Sequence, residues 1–193
     1  MKKEALIIFV RNPILGKVKT RIAATIGDEN ALAIYKHLLQ YTKQIASETG
    51  VTKHIFYADE LNQCDLWDGN EKYLQIGDDL GDRMKNAFNC VFAKGYGKVI
   101  IIGSDCFELT PAIIDSAFDY LDESEIVIGP AKDGGYYLLG MSTPHPYLFD
   151  NIQWSTNRVF NETLGIMREN NLSISLLPEL NDIDEAKDIT FTY

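Results

Sequence analysis

The chain has 193 residues, 46% of them hydrophobic, which suits a single domain, residues 1–193, with a sizeable core. Its formal net charge is −10, from 18 Lys and Arg against 28 Asp and Glu, which argues against an extended nucleic-acid surface and confines any phosphate site to a local basic cluster. No apolar run approaches the ~20 residues that span a bilayer and no signal-peptide pattern stands at the start, so a cytoplasmic protein is expected.

Ala5–Val10, ALIIFV, is a continuous apolar run that predicts a buried strand. Arg11–Arg21, RNPILGKVKTR, follows, with Pro13 and Gly16 as turn makers and four cations: Arg11, Lys17, Lys19 and Arg21. The GxxxxGK[ST] spacing of a Walker A loop is absent. A Gly-containing loop after a first strand can still offer backbone N–H groups and cations to phosphates. The competing reading is a solvated basic turn.

Asp28 is expected to cap a long helix that ends at Gly50. Ala31, Tyr35, Leu38, Leu39, Thr42, Ile45 and Ala46 recur on its buried face. His37, beside that face, is expected to be structural. Lys53–Ala58 reads as a strand with His54 facing solvent, and Tyr73–Ile76 as a short strand. Asp79 is the expected N-cap of the next helix, with Leu80, Met84, Ala87, Phe88 and Val91 as its buried stripe. Arg83 then lies near a helix N-terminus, where it either meets a phosphate or base or pairs with Asp79 or Asp82.

Lys98–Thr110, KVIIIGSDCFELT, is the centre of the pattern. Val99–Ile102 is a β-branched run of the kind buried on both faces of a sheet, and Asp105 follows it almost at once. Thr110 and Pro111 supply an N-cap and a first helical residue for a helix to Leu121. A carboxylate at the carboxyl end of a central parallel strand sits where open α/β sheets bind ligands, and a hydrated divalent metal carrying phosphates is one partner for it. Otherwise Asp105 turns the chain or caps a helix. The three cysteines, Cys64, Cys90 and Cys106, are odd in number without metal spacing and read as reduced thiols. Cys106, beside Asp105, is a candidate nucleophile with no His near it in sequence.

Glu125–Pro130 is a further strand, and Asp133-Gly134-Gly135 marks a tight hairpin whose glycines also let a ligand approach the backbone. Thr156 is expected to cap a helix to Asn170, and Trp154 is either a core plug or a substrate wall. Leu172–Leu177 reads as a last strand. Asp184 is a plausible helix N-cap, and with Asp182 a candidate second carboxylate for a metal begun by Asp105. Alternating strands and helices imply an α/β fold, a three-layer α/β/α sandwich on a mostly parallel mixed sheet, with Lys17, Lys19, Arg21 and Asp105 gathered at one sheet edge.

PILGKVKTR (13–21), DLGDRM (79–84), GSDCFEL (103–109), GPAKDGGYYLLG (129–140) and WST (154–156) together resemble the nucleotide-diphospho-sugar transferase superfamily, whose fold is the Rossmann-like GT-A fold. Within it the chain is most similar to a small bacterial family of glycosyltransferases linked to arsenosugar biosynthesis and radical-SAM genes. The resemblance implies a metal-dependent transferase using a nucleotide-activated sugar, with Mg²⁺ or Mn²⁺ as cofactor and small molecules as partners. It implies Asp105 and Asp184 as metal ligands, and Arg11, Gly16, Lys17, Lys19, Arg21 and Arg83 on the nucleotide and its phosphates. Asp133, Gly134 and Gly135 would line the acceptor or sugar side. Lys19 and Asp105, with Asp133 as a base, would then be catalytic. The same fold hosts nucleotidyltransferases that join a nucleoside triphosphate to a phosphorylated acceptor, and a non-catalytic nucleotide-sugar-binding module is a further alternative.

The chain departs from that pattern in three places. Phe107 stands where Pro is usual, Arg11 where Lys is common, and DIDEAKDI lacks the Thr-Pro of DxDTPxDL. The central strand also ends in Ser104-Asp105-Cys106 rather than a full DxD, a feature more like the nucleotidyltransferase branch.

Overall fold

A computed structural model describes residues 2–191 of the chain. Seven strands share one sheet: β1 (Glu4–Val10), β2 (Thr52–Tyr57), β3 (Glu71–Leu74), β4 (Lys98–Ile102), β5 (Ile126–Pro130), β6 (Tyr136–Met141) and β7 (Ile174–Leu176). Their order is β3-β2-β1-β4-β6-β5-β7. All neighbouring pairs are parallel except those made by β6, which runs antiparallel to both β4 and β5. The Asp133-Gly134-Gly135 hairpin is the cause of that reversal, since a short loop can join only antiparallel strands.

Among the described residues there are five α-helices: α1 (Thr20–Ile26), which packs on α2, and α2 (Asp28–Glu48), α3 (Leu80–Phe92), α4 (Pro111–Tyr120) and α5 (Val159–Glu169), which cover the sheet. Side chains alternate across a strand. Leu6, Ile8 and Val10 of β1 therefore join Tyr35 and Leu39 of α2 and Ile114 and Phe118 of α4 in one core. Ala5 and Ile7 pack in a second core with Met84 and Phe88 of α3 and Leu164 and Met167 of α5. The result is the α/β/α sandwich expected from the sequence. Every residue of β4 is buried: Val99–Ile102 as an unbroken apolar run, and Lys98 with its ammonium paired to Glu4 and Asp122. No helix among the described residues is long and apolar enough to cross a membrane.

Several local expectations need correction. Helix α1 was not foreseen, because TRIAATI is too short to show a helical period. Gly27, at φ 86°, is the N-cap of α2, so Asp28 is its first helical residue, and Thr49 rather than Gly50 closes it. His54 is fully buried rather than facing solvent: β2 is flanked by β1 and β3, and the imidazole packs among Tyr73 and Tyr96. Leu80 is 44% exposed at the first turn of α3, and Gly81 takes the buried place. Thr156 does not cap α5, whose N-cap is Arg158; its hydroxyl donates to the Gln153 carbonyl. Glu185, not Asp184, caps the short 3-10 turn Ala186–Asp188. His37 stacks on Phe191 and lies against Phe107, a structural role.

Candidate functional site

The carboxyl ends of β1 and β4 open on a cleft of about 1000 Å³. Arg11, Lys17, Lys19, Arg21 and Arg83 line it, together with Asp79, Asp105, Asp133, Asp182 and Asp184. Five of the chain's 18 basic residues thus meet in one place on a protein of net charge −10. Five aspartates line the same cleft, so its cations are matched by an equal number of carboxylates.

Lys19 is the centre of the arrangement. Its Nζ lies 3.2 Å from Asp105 Oδ2 and 3.1 Å from Asp184 Oδ1, and its side chain is only 9% exposed. The chain reaches this geometry through a backbone that Lys rarely adopts, φ 47° and ψ 46°, at the N-cap of α1. Such a left-handed residue costs on the order of 1–3 kcal/mol and persists where its surroundings fix it. Burial opposes the ammonium charge, but the two carboxylates outweigh it and raise the Lys19 pKa above its ordinary value. Arg21 stands outside this pair, with Nη1 3.7 Å from Asp184 Oδ2 and a largely exposed side chain.

Asp105 and Asp184 are brought together by the backbone that follows the sheet. The Ile183 N–H donates to the Asp105 carbonyl at 2.9 Å, and the Asn181 N–H to Glu108 Oε2 at 2.9 Å. Leu180 also forms a bridge with Ala131, tying this segment to the hairpin. Asp182 points inward: its Oδ1 is buried without a hydrogen-bond partner. Burial, then the nearby charges of Asp105 and Asp133, push its carboxyl up to about 8. Burial likewise raises the Cys106 thiol, aided by Asp182, so this cysteine is no thiolate nucleophile. All three cysteines are free.

The opposite wall joins the other motifs. Trp154 lies over Gly81, where a Cβ would overlap the indole, and stacks on Phe149. Gly134, at φ 91°, sits so close to Asn157 that a Cβ would overlap the Asn157 carbonyl, and its own carbonyl accepts from the Phe160 N–H at 2.9 Å. DLGDRM, DGG and WST are therefore one packed unit. Arg83 faces the cleft and donates through Nε to the Gly77 carbonyl at 3.2 Å. Asp133 is exposed, its Oδ1 accepting from the Gly135 N–H at 2.8 Å. Gly16 and Gly134 shape the loops but do not line the cleft, whereas Gly135 does.

Two contributors were missed by sequence reasoning. Tyr35, read only as core, reaches the cleft and locks the end of β1: its Oη accepts from the Arg11 N–H at 2.8 Å and donates to the Arg11 carbonyl at 3.2 Å. Ser155, in the left-handed region at φ 61°, lines the rim; it lies within the WST motif, where the sequence reading gives it no role.

The residues suit a hard divalent cation. Asp105 and Asp184 already converge on one positive charge, and both offer oxygen ligands. Among the described residues no group of three or more His, Cys, Asp or Glu could hold a metal ion.

A family described as an uncharacterized protein conserved in bacteria, DUF2064, matches residues 41–156, more than half of the chain. The chain belongs to the DUF2064 family. Among solved structures this DUF2064 protein is similar to a provisionally assigned nucleotide-diphospho-sugar transferase from Desulfovibrio desulfuricans G20, at 35% identity and TM-score 0.87, covering 96% of this chain and 84% of that one. CMP:2-keto-3-deoxy-manno-octonic acid synthetase complexed with CTP aligns at 10% identity and TM-score 0.61, covering 96% and 94%. Glucosyl-3-phosphoglycerate synthase from Mycobacterium tuberculosis, in complex with Mn²⁺, UDP and glucosyl-3-phosphoglycerate, aligns at 9% and 0.58, covering 94% and 71%. At such identities the last two share the fold alone. No curated protein matches this chain.

Proposed function

We propose that this protein is a metal-assisted transferase using a nucleotide-activated sugar, with the nucleotide phosphates held between the Lys17–Arg21 loop and the Asp105–Asp184 pair. The observation that carries this reading is the meeting of Lys19, Asp105 and Asp184, from three distant parts of the chain, at the carboxyl edge of the sheet. The 35% identical protein provisionally assigned as a nucleotide-diphospho-sugar transferase supports it.

In this reading Asp105 and Asp184 hold Mg²⁺ or Mn²⁺, whose chemistry is to neutralise the diphosphate and the leaving nucleotide. Lys17, Lys19 and Arg21 add positive charge where the leaving group becomes more negative, electrostatic stabilisation of the kind worth several kcal/mol. Arg11 and Arg83 flank the nucleotide. Trp154, held flat by Gly81, walls the sugar and excludes water. Asp133, exposed at the hairpin tip, takes the proton of the acceptor hydroxyl. Residues 1–193 act as one domain on small molecules in the cytoplasm. The motif resemblance to glycosyltransferases of arsenosugar biosynthesis suggests acceptors of that kind for the panel to be tested.

A second reading, nucleotidyl transfer, is favoured by one feature: the single carboxylate, Asp105, that follows β4 in place of a full DxD. A phosphorylated acceptor would attack the α-phosphate of a nucleoside triphosphate and release pyrophosphate. Incubation with Mg²⁺ or Mn²⁺, sugar nucleotides and hydroxyl acceptors should release nucleoside diphosphate. Pyrophosphate release from triphosphates and phosphorylated acceptors supports the second reading instead. Tight binding without turnover would make the protein a binding module. Asp105→Asn should lower either rate about a hundredfold or more; an unchanged rate removes Asp105 from the chemistry.

A further inference from the structure

We infer that Lys19 is the resident counter-ion of the acidic pair, and that a divalent metal binds only by exchange with its ammonium, which passes to the nucleotide phosphates. The inference rests on the proposed function and adds to it an order of events. Nζ occupies the point on which Asp105 and Asp184 converge, within 3.2 Å of both. A magnesium ion needs oxygen at about 2.0–2.1 Å, so it and the ammonium cannot share that point. Two nearby negative charges are therefore already compensated by Lys19 and, more loosely, by Arg21.

The partners are unequal in their freedom. The two carboxylates are 39% and 38% exposed, open to an incoming ion, while the lysine side chain is 9% exposed. Once displaced, the ammonium would lose both carboxylates, and a buried lysine charge needs another anion. None of the cleft's other carboxylates, Asp79, Asp133 and Asp182, lies within ion-pair distance of the Lys19 ammonium. A phosphate group brought with the metal answers that need. Metal alone is thus opposed by Lys19, and metal together with a nucleotide is helped by it. The left-handed backbone at Lys19 supports this role: the fold accepts strain to aim the ammonium at the acidic pair.

Mn²⁺ titration followed by the electron paramagnetic resonance of the free ion tests the exchange without any turnover. Lys19→Gly removes the cation and suits the left-handed backbone, so folding is retained. Lys19→Asn, also tolerant of that conformation, serves as a second variant, and Lys19→Arg keeps the charge. Without nucleotide, the Gly and Asn variants should bind Mn²⁺ at least about tenfold more tightly than the wild type, and the Arg variant no more tightly. Adding a nucleoside diphosphate should tighten Mn²⁺ binding strongly in the wild type and much less in Lys19→Gly. Equal or weaker Mn²⁺ binding by both neutral variants overturns the exchange. If the wild type binds Mn²⁺ with nucleotide and turns over, that result leaves the transferase standing. If neither the wild type nor the variants bind Mn²⁺ with any nucleotide, the metal-assisted transferase falls as well.

Discussion

Asp182 shows how one side chain can carry a cost of the site into solution behaviour. Its carboxyl titrates near 3.9 in an unfolded chain, whereas burial and the charges of Asp105 and Asp133 raise it to about 8 in the folded protein. Between about pH 4 and pH 8 the folded state keeps a proton that the unfolded state has released. The unfolded state then binds fewer protons, so stability falls as pH rises through that window. Asp182→Asn removes the ionisation while keeping the shape. Urea unfolding at pH 5 and pH 8 should show the wild type losing stability toward pH 8 and the variant losing much less. An equal loss in both would place the pH sensitivity elsewhere.

The glycine seams that join α3, the hairpin and the start of α5 belong to the scale of elements. At Gly134 a side chain would meet both a positive φ and the Asn157 backbone, which cannot move aside as a side-chain tip can. Gly134→Ala should cost about 1–3 kcal/mol, as overpacking does, and lower Tm by roughly 3–10 °C. Gly165→Ala, within α5 with nothing within 4 Å of its added Cβ, should instead raise stability by about 0.5–1 kcal/mol. Scanning calorimetry of the two variants checks both signs. This scale also shows what the sequence could reveal. Runs such as Val99–Ile102 and capped openings such as Asp79 and Thr110-Pro111 are local signals, and the structure follows them. The contact of Trp154 with Gly81 joins residues far apart in the chain, and periodicity carries no information about it. His54 misled for a related reason: its burial is set by β3 and Tyr96, not by its own strand. In the cleft, residue types were legible at Asp105, Asp184 and the basic loop, while the insertion of Lys19 between the two acids was not, since it depends on a left-handed backbone at a non-glycine residue.

At the scale of the whole molecule, the cleft brings together β1, β4, the hairpin and the segment after β7. A ligand that binds only the assembled cleft stabilises all of these at once. A sugar nucleotide with Mn²⁺ at a hundred times its dissociation constant should add about 2.7 kcal/mol, a rise in Tm of roughly 5–10 °C. A fluorescence melt across sugar nucleotides, each with and without Mn²⁺, reads this directly. A shift for the nucleotide that is indifferent to metal would count against the acidic pair as a metal site.

Lys19 and Asp184 are 165 positions apart. On a ribosome adding about 5–20 residues per second, that interval lasts roughly 10–30 s. Throughout it, a nascent polypeptide already carries the cationic loop and, for the later part, Asp105, yet lacks the second acid. Translation therefore imposes its own schedule: strands can begin to pair while the ion-paired cluster of Lys19, Asp105 and Asp184 is still half-written, and that cluster closes only after Asp184 has cleared the exit tunnel.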